Sequence, residues 1–147
     1  MENGAGNAAY GLSESDFALW VKKQVDNSKG IGLKEGYVPG TLFVLWIDGV
    51  PVGRSTLRHW LTPTLEQSGG HIGCSIAPKF RGRGYANIIL AETLKHARKM
   101  GIKKVLITVN DDNVPSWKAV EYNGGVLTKT GTKPGDKIKY RYYWICI

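Results

Sequence analysis

Residues 71–100, HIGCSIAPKFRGRGYANIILAETLKHARKM, read as three elements in succession. Residues 72–77 form a short apolar strand and residues 78–85 a basic, glycine-rich turn. A helix follows, whose apolar positions Ala86, Ile89, Leu90, Leu94, Ala97 and Met100 recur at helical spacing. A strand thus delivers a helix N-terminus. The first backbone N–H groups of a helix have no carbonyl partners and the helix dipole adds partial positive charge there, so a phosphate meets donors already oriented. Gly82 and Gly84 lack the Cβ that would hold a ligand away and accept positive φ, while Lys79, Arg81 and Arg83 set full charges beside the turn. These residues describe a diphosphate cradle.

Three phosphate-binding patterns compete for the turn. A Walker-type loop requires Lys-Ser or Lys-Thr after its last glycine, where Tyr85-Ala86 stands. A dinucleotide fingerprint, G-x-G-x-x-G, needs glycine at the position of Asn87, although Asp111 and Asp112 after the next strand could imitate its ribose-binding acid. The third pattern, Arg-x-x-Gly-x-Ala, is met by Arg81, Gly84 and Ala86.

Outside this segment the chain alternates helical and strand-like runs. Residues 1–11, rich in Gly, Asn and Ala, read as a mobile tail, and residues 12–147 as one domain. Ser13-Glu14-Ser15-Asp16 is a capping sequence, after which Phe17, Trp20, Val21 and Val25 recur at helical spacing, a face expected to lie on a sheet. Residues 27–40 are a glycine-rich loop, and residues 41–47 and 52–60 are strands joined through Asp48-Gly49, a pair suited to a tight hairpin. Gly101 ends the long helix, residues 103–109 are a buried strand, and Asn113 is expected to cap a short helix with Pro115 in its first turn and Gly124-Gly125 at its end. Residues 126–129 and 138–147 make a final pair of strands. The order predicts an α/β protein of the α+β kind, a mixed sheet with helices, and counts against the repeated βαβ of a dinucleotide fold.

Composition narrows the function. Cys74 and Cys146 lie in apolar strand-like runs, and no hydrophobic leader precedes the first helix, so reduced thiols and a cytoplasmic location are expected. No apolar run approaches the roughly 20 residues that span a bilayer. A formal charge of +8, from 20 Lys+Arg against 12 Asp+Glu, favours an anionic ligand, an acidic substrate or nucleic acid. No aromatic ladder interleaves with the basic turn, which argues against nucleic acid. Cys74 reads as a small buried residue and His96 as solvated; Trp46, Trp117, Tyr140, Tyr142 and Trp144 read as core or pocket wall.

Arg81-x-x-Gly84-x-Ala86 resembles the acetyl-coenzyme A signature of the GNAT N-acetyltransferase superfamily, Gln/Arg-x-x-Gly-x-Gly/Ala. The segment from Asn113 through Ser116 and Glu121 to Gly124-Gly125 is similar to that superfamily's Asn-x-x-Ala/Ser-x-x-x-Tyr/Phe-Glu-x-x-Gly after its fifth strand. The run 36–128 looks most like a little-described branch of predicted GNAT acetyltransferases with "LRH" and "GGHIG" segments, here Leu57-Arg58-His59 and residues 69–73. The resemblance implies a GNAT-like acyl-CoA N-acyltransferase fold, without its first strand because residues 1–11 hold almost no β-forming side chains. It implies acetyl transfer from acetyl-CoA to a small-molecule or protein amine, through direct attack in a ternary complex.

By the same resemblance, Arg81, Gly82, Arg83, Gly84, Tyr85 and Ala86 would hold the pyrophosphate, Ile76 and Ala77 the pantetheine arm and thioester carbonyl, and Asn113 and Ser116 further parts of the cofactor. No metal ligand is assigned. At pH 7 only a few in about ten thousand lysine-like amines are neutral, so a base is needed. His71, where similar enzymes often carry a glutamate, is the first candidate and His59 the second. Val120 stands where the superfamily has its general-acid tyrosine and Tyr122 is displaced from it, so that role is left open. A coenzyme A binding module without turnover is the alternative reading. Without a first strand, strand 41–47 would be an edge, which a homodimer or the folded-back tail would cover.

Overall fold

The structure, a computed structural model, describes residues 13–133 and 135–147. The expected tail, and with it the expected lack of a strand before the first helix, lies outside the described residues. Helix α1 (Glu14–Ser28) starts as its capping sequence implies, with the Ser13 hydroxyl accepting the Asp16 N–H at 3.2 Å. Its apolar face lies against strand β1 (Gly40–Ile47) without being buried: Phe17 stays 46% exposed, although it shares a shallow groove with Trp20, Leu42 and Val44.

β1 turns into β2 (Val50–Arg58) through Asp48 and Gly49, both at positive φ, as a tight hairpin requires. The connection to β3 (Ile72–Ile76) contains a short helix, α2 (Pro63–Gln67). Its signal is local: the Thr62 hydroxyl accepts the Leu65 N–H and Pro63 occupies the first turn, where a missing N–H costs nothing. After β3 come a one-turn 3₁₀ segment (Pro78–Phe80), helix α3 (Tyr85–Lys99), β4 (Lys104–Asn110), α4 (Val114–Tyr122), β5 (Val126–Thr132) and β6 (Lys139–Cys146).

The expected mixed sheet is divided in two. β1, β2 and β3 form one antiparallel sheet, and β4, β6 and β5, in that order, form another. Helix α3 covers the division: Leu90, Leu94 and Ala97 pack into one core with Leu57 and Ile72 of the first sheet and Val105, Ile107, Tyr143 and Ile145 of the second. The helix also has a buried polar attachment, since Ser55 Oγ lies 2.5 Å from Thr93 Oγ1, which itself donates to the Ile89 carbonyl. After α3 the chain enters β4, which lies beside β3.

Candidate active site

Hydrogen bonds at the strand ends show which backbone groups face the division. Arg58 donates its N–H to the His71 carbonyl at 2.7 Å, and Ala77 donates to Val52 at 3.0 Å. Antiparallel pairs alternate, so with Leu57 opposite Ile72 and Gly53 opposite Ile76, the amides of Ile72, Cys74 and Ile76 turn away from β2. In the second sheet, Asp111 donates to Lys139 and Ile147 to Lys103, and the same alternation turns the amides of Leu106, Thr108 and Asn110 away from β6. Two rows of backbone donors and acceptors therefore face each other across the gap between β3 and β4.

The gap is closed at one end and open at the other. At the closed end the His71 N–H donates to the Leu106 carbonyl at 2.7 Å, and the Leu106 N–H donates to His71 Nδ1 at 3.0 Å. At the open end lies the basic turn. Gly82 and Gly84 have φ of 75° and 79°, and among the described residues nothing lies within 4 Å of where a Cβ would project from either. Asn87 bonds back to the Gly84 carbonyl at 3.1 Å, which leaves the Tyr85 and Ala86 N–H groups without an intrahelical acceptor. Arg81 Nε donates to the Ile76 carbonyl at 3.1 Å, joining the turn to the cleft wall, while Lys79 and Arg83 flank the Phe80 ring. An extended chain ending in a diphosphate fits this arrangement: amides along both walls, then glycines and cations at a helix N-terminus.

Several expected site residues take other places. Ala77 gives its N–H to Val52 and its carbonyl to the Phe80 N–H, so its backbone serves the fold and not the cleft. Asn113 occupies the N-cap position of α4 but its side chain makes no capping bond; its carbonyl accepts the Ser116 N–H at 3.1 Å instead. Cys74 is not a buried core residue, since it keeps exposed surface. Protein atoms still crowd it enough that desolvation pushes its thiol up to about 12, which keeps it protonated and non-nucleophilic at neutral pH. His96 is exposed but lies against the Phe43 ring, tilted to it by 32° with ring centroids 4.6 Å apart. Val120 belongs to the core and Tyr122 is 77% exposed, so neither offers a proton to the cleft.

The two histidines differ in what their rings can do. His71 is buried, and its Nδ1 lone pair holds a backbone N–H, so the neutral ring carries its proton on Nε2 and has no free lone pair. Burial, and after it the Arg58 guanidinium, hold it below the usual histidine range against the opposing pull of Glu66. His59 is half-buried; its Nε2 lies 2.8 Å from the Thr41 hydroxyl, a partner that can donate or accept, and burial lowers its pKa as well. Arg58, Leu106 and Thr108 were not singled out as site residues, although all three shape the closed end: Arg58 Nη1 donates to the Gly69 and Gly70 carbonyls, and Gly69 donates to Thr108 Oγ1.

Comparison with known proteins agrees with this geometry. The family model described as "Acetyltransferase (GNAT) family" matches residues 9–124. No curated protein matches the chain. Among solved structures, RimL, a ribosomal L7/L12 alpha-N-protein acetyltransferase in complex with coenzyme A, superposes with a TM-score of 0.66 at 17% identity, covering 92% of this chain and 74% of that one. A protein assigned as an acetyltransferase, yncA of Salmonella typhimurium with its cofactor acetyl-CoA, gives 0.64 at 14% identity over 92% and 74%. A ribosomal-protein-alanine N-acetyltransferase from Brucella melitensis gives 0.62 at 17% identity over 92% and 80%. At these identities the structures speak for the fold, and the family model, spanning most of the sequence, speaks for descent: the chain belongs to the GNAT acetyltransferase family.

Proposed function

We propose that this protein moves an acetyl group from acetyl-CoA to an amine by direct attack of the amine in a ternary complex. The observation that carries the reading is the cleft itself, two facing amide rows that run out to a positive-φ glycine turn at a helix N-terminus. Acetyl-CoA, when bound, supplies the acetyl group already activated as a thioester. Tyr85 and Ala86 N–H groups, with Gly82, Gly84, Arg81 and Arg83, hold the pyrophosphate; the Ile76 N–H binds the pantetheine arm or polarises the acyl oxygen. Asn113, its side chain uncommitted to capping, and Ser116 bind from the β4 side.

Of the two histidines, His59 keeps a nitrogen able to take up a proton, and it takes the role of base first considered for His71. A positioned base contributes about 10²- to 10⁴-fold, so His59→Gln lowers turnover within that range and leaves acetyl-CoA affinity unchanged. The acceptor is a small-molecule or protein amine, and the two free cysteines suit work in the cytoplasm. A thiol-release assay with a panel of amines, alongside calorimetry with acetyl-CoA, tests the reading. Absence of acetyl-CoA binding overturns it. A second reading, coenzyme A binding without turnover, draws on the core valine at the tyrosine position, Val120, and is favoured if binding is tight and no amine releases thiol.

A further inference from the structure

The segments Leu57-Arg58 and Gly69-Gly70-His71 have a common location that the chemistry above does not use. They sit where the two sheets meet, at the closed end of the cleft. Gly70, at φ 59°, passes so close to β4 that a Cβ there would come within 2.4 Å of the Leu106 carbonyl oxygen and 3.3 Å of the Ile107 Cα, which only glycine permits. The Arg58 guanidinium holds this turn from the other side, with Nη1 3.1 Å from each of the Gly69 and Gly70 carbonyls. Gly69 reaches Thr108 Oγ1 at 2.8 Å, and Leu57 anchors the same stretch of β2 in the core at 0% exposure.

His71 completes the junction. Its carbonyl accepts from Arg58 of the first sheet, its N–H donates to Leu106 of the second, and its ring accepts the N–H of that same Leu106. The imidazole stands in for a backbone carbonyl that the diverging strand can no longer supply. Leu106 is 2% exposed, and a buried N–H without an acceptor is costly.

We propose that Arg58, Gly69, Gly70 and His71 form a clamp between the sheets that fixes where the cleft ends, with His71 as a positioning residue acting through Leu106. The clamp sets how far an acyl chain can travel between β3 and β4 before the amide rows close. Its importance for turnover rests on the acetyltransferase reading; its structural part does not.

The first test uses the wild-type chain labelled with nitrogen-15 at histidine. The expected result is an unprotonated, hydrogen-bonded Nδ1 and a protonated Nε2 from about pH 7 to about pH 9, whereas a neutral ring with its proton on Nδ1 overturns the clamp. The second compares substitutions. His71→Asn places Oδ1 where Nδ1 lies, one bond beyond Cγ, while His71→Ala removes the acceptor. Exchange of the Leu106 amide should stay within about 3-fold of wild type in His71→Asn and quicken by on the order of 10- to 100-fold in His71→Ala. Unchanged exchange in a folded His71→Ala overturns the proposal.

Turnover separates positioning from proton transfer, because asparagine can accept a hydrogen bond but cannot act as a base. His71→Asn retaining turnover that His71→Ala loses supports the clamp. His71→Asn as inactive as His71→Ala, with Leu106 still protected, makes His71 the base and sinks the positioning role. Acetyl-CoA binding by the wild type tests the proposed function alone, while tautomer and exchange need no ligand, so the two readings fail separately.

Discussion

Gly84 caps the start of α3 in the left-handed region, at φ 79°, with no described atom within 4 Å of where a Cβ would project. Any L side chain there costs about 1–2 kcal/mol in backbone strain, and a carboxylate adds repulsion where an anion belongs. Gly84→Glu should therefore abolish binding of coenzyme A while the protein still melts cooperatively; calorimetry that finds unchanged affinity in the folded variant refutes the cradle. His71 carries a prediction about pH. Burial and Arg58 depress its pKa in the fold, so the unfolded chain, with histidine titrating near 6.5, binds more protons as pH falls. The neutral ring's contribution is thus complete above about pH 6.5 and declines below it, with Glu66 partly offsetting the effect. His59 shifts in the same direction, so the loss in melting temperature between about pH 7 and pH 5 should become shallower, not vanish, in His71→Asn. An identical slope in both proteins would show that His71 is not the titrating group.

At the scale of elements, the strand, turn and helix of residues 71–100 were legible because each is specified locally: a short apolar run, glycines that must take positive φ, and a 3.6-residue period. The hairpin at Asp48-Gly49 was legible for the same reason. The division between β3 and β4 was not, since it depends on a histidine side chain replacing one rung of a ladder across 35 residues of sequence. Nor could the sequence tell that Asn113 would leave its side chain uncommitted or that Ala77 would spend its amide on β2. The GGHIG segment was visible as a motif, yet its meaning depended on the β4 backbone it touches. Two measurements address how elements meet. Arg81→Ala should weaken coenzyme A more than pantetheine lacking pyrophosphate; equal losses mean that Arg81 acts only by holding the turn to Ile76. Gly125 fits against α4 where a Cβ would lie 2.5 Å from Val120 Cγ1 and 2.8 Å from its carbonyl, so Gly125→Ala should destabilise by about 1–3 kcal/mol, read in a denaturant titration.

For the molecule as a whole, β1 borders its sheet among the described residues, with β2 as its strand neighbour, and its Val44 and Trp46 are 40% and 58% exposed. An edge strand with exposed apolar side chains is self-complementary about a twofold axis, and we expect a homodimer there. Light scattering at micromolar concentration should report twice the chain mass; a monomer whose 41–47 amides exchange rapidly refutes it. The two facing amide rows have a consequence for the economy of the fold. A guest lying along Ile72, Cys74 and Ile76 on one side and Thr108 and Asn110 on the other would act as the strand that joins two half-sheets into one. Such a guest is a structural member as well as a reactant. At a hundredfold excess over its dissociation constant it would add about 2.7 kcal/mol to the folded state, so the melting point of this protein would gauge the supply of that guest, and a copy deprived of it would be the more fragile one.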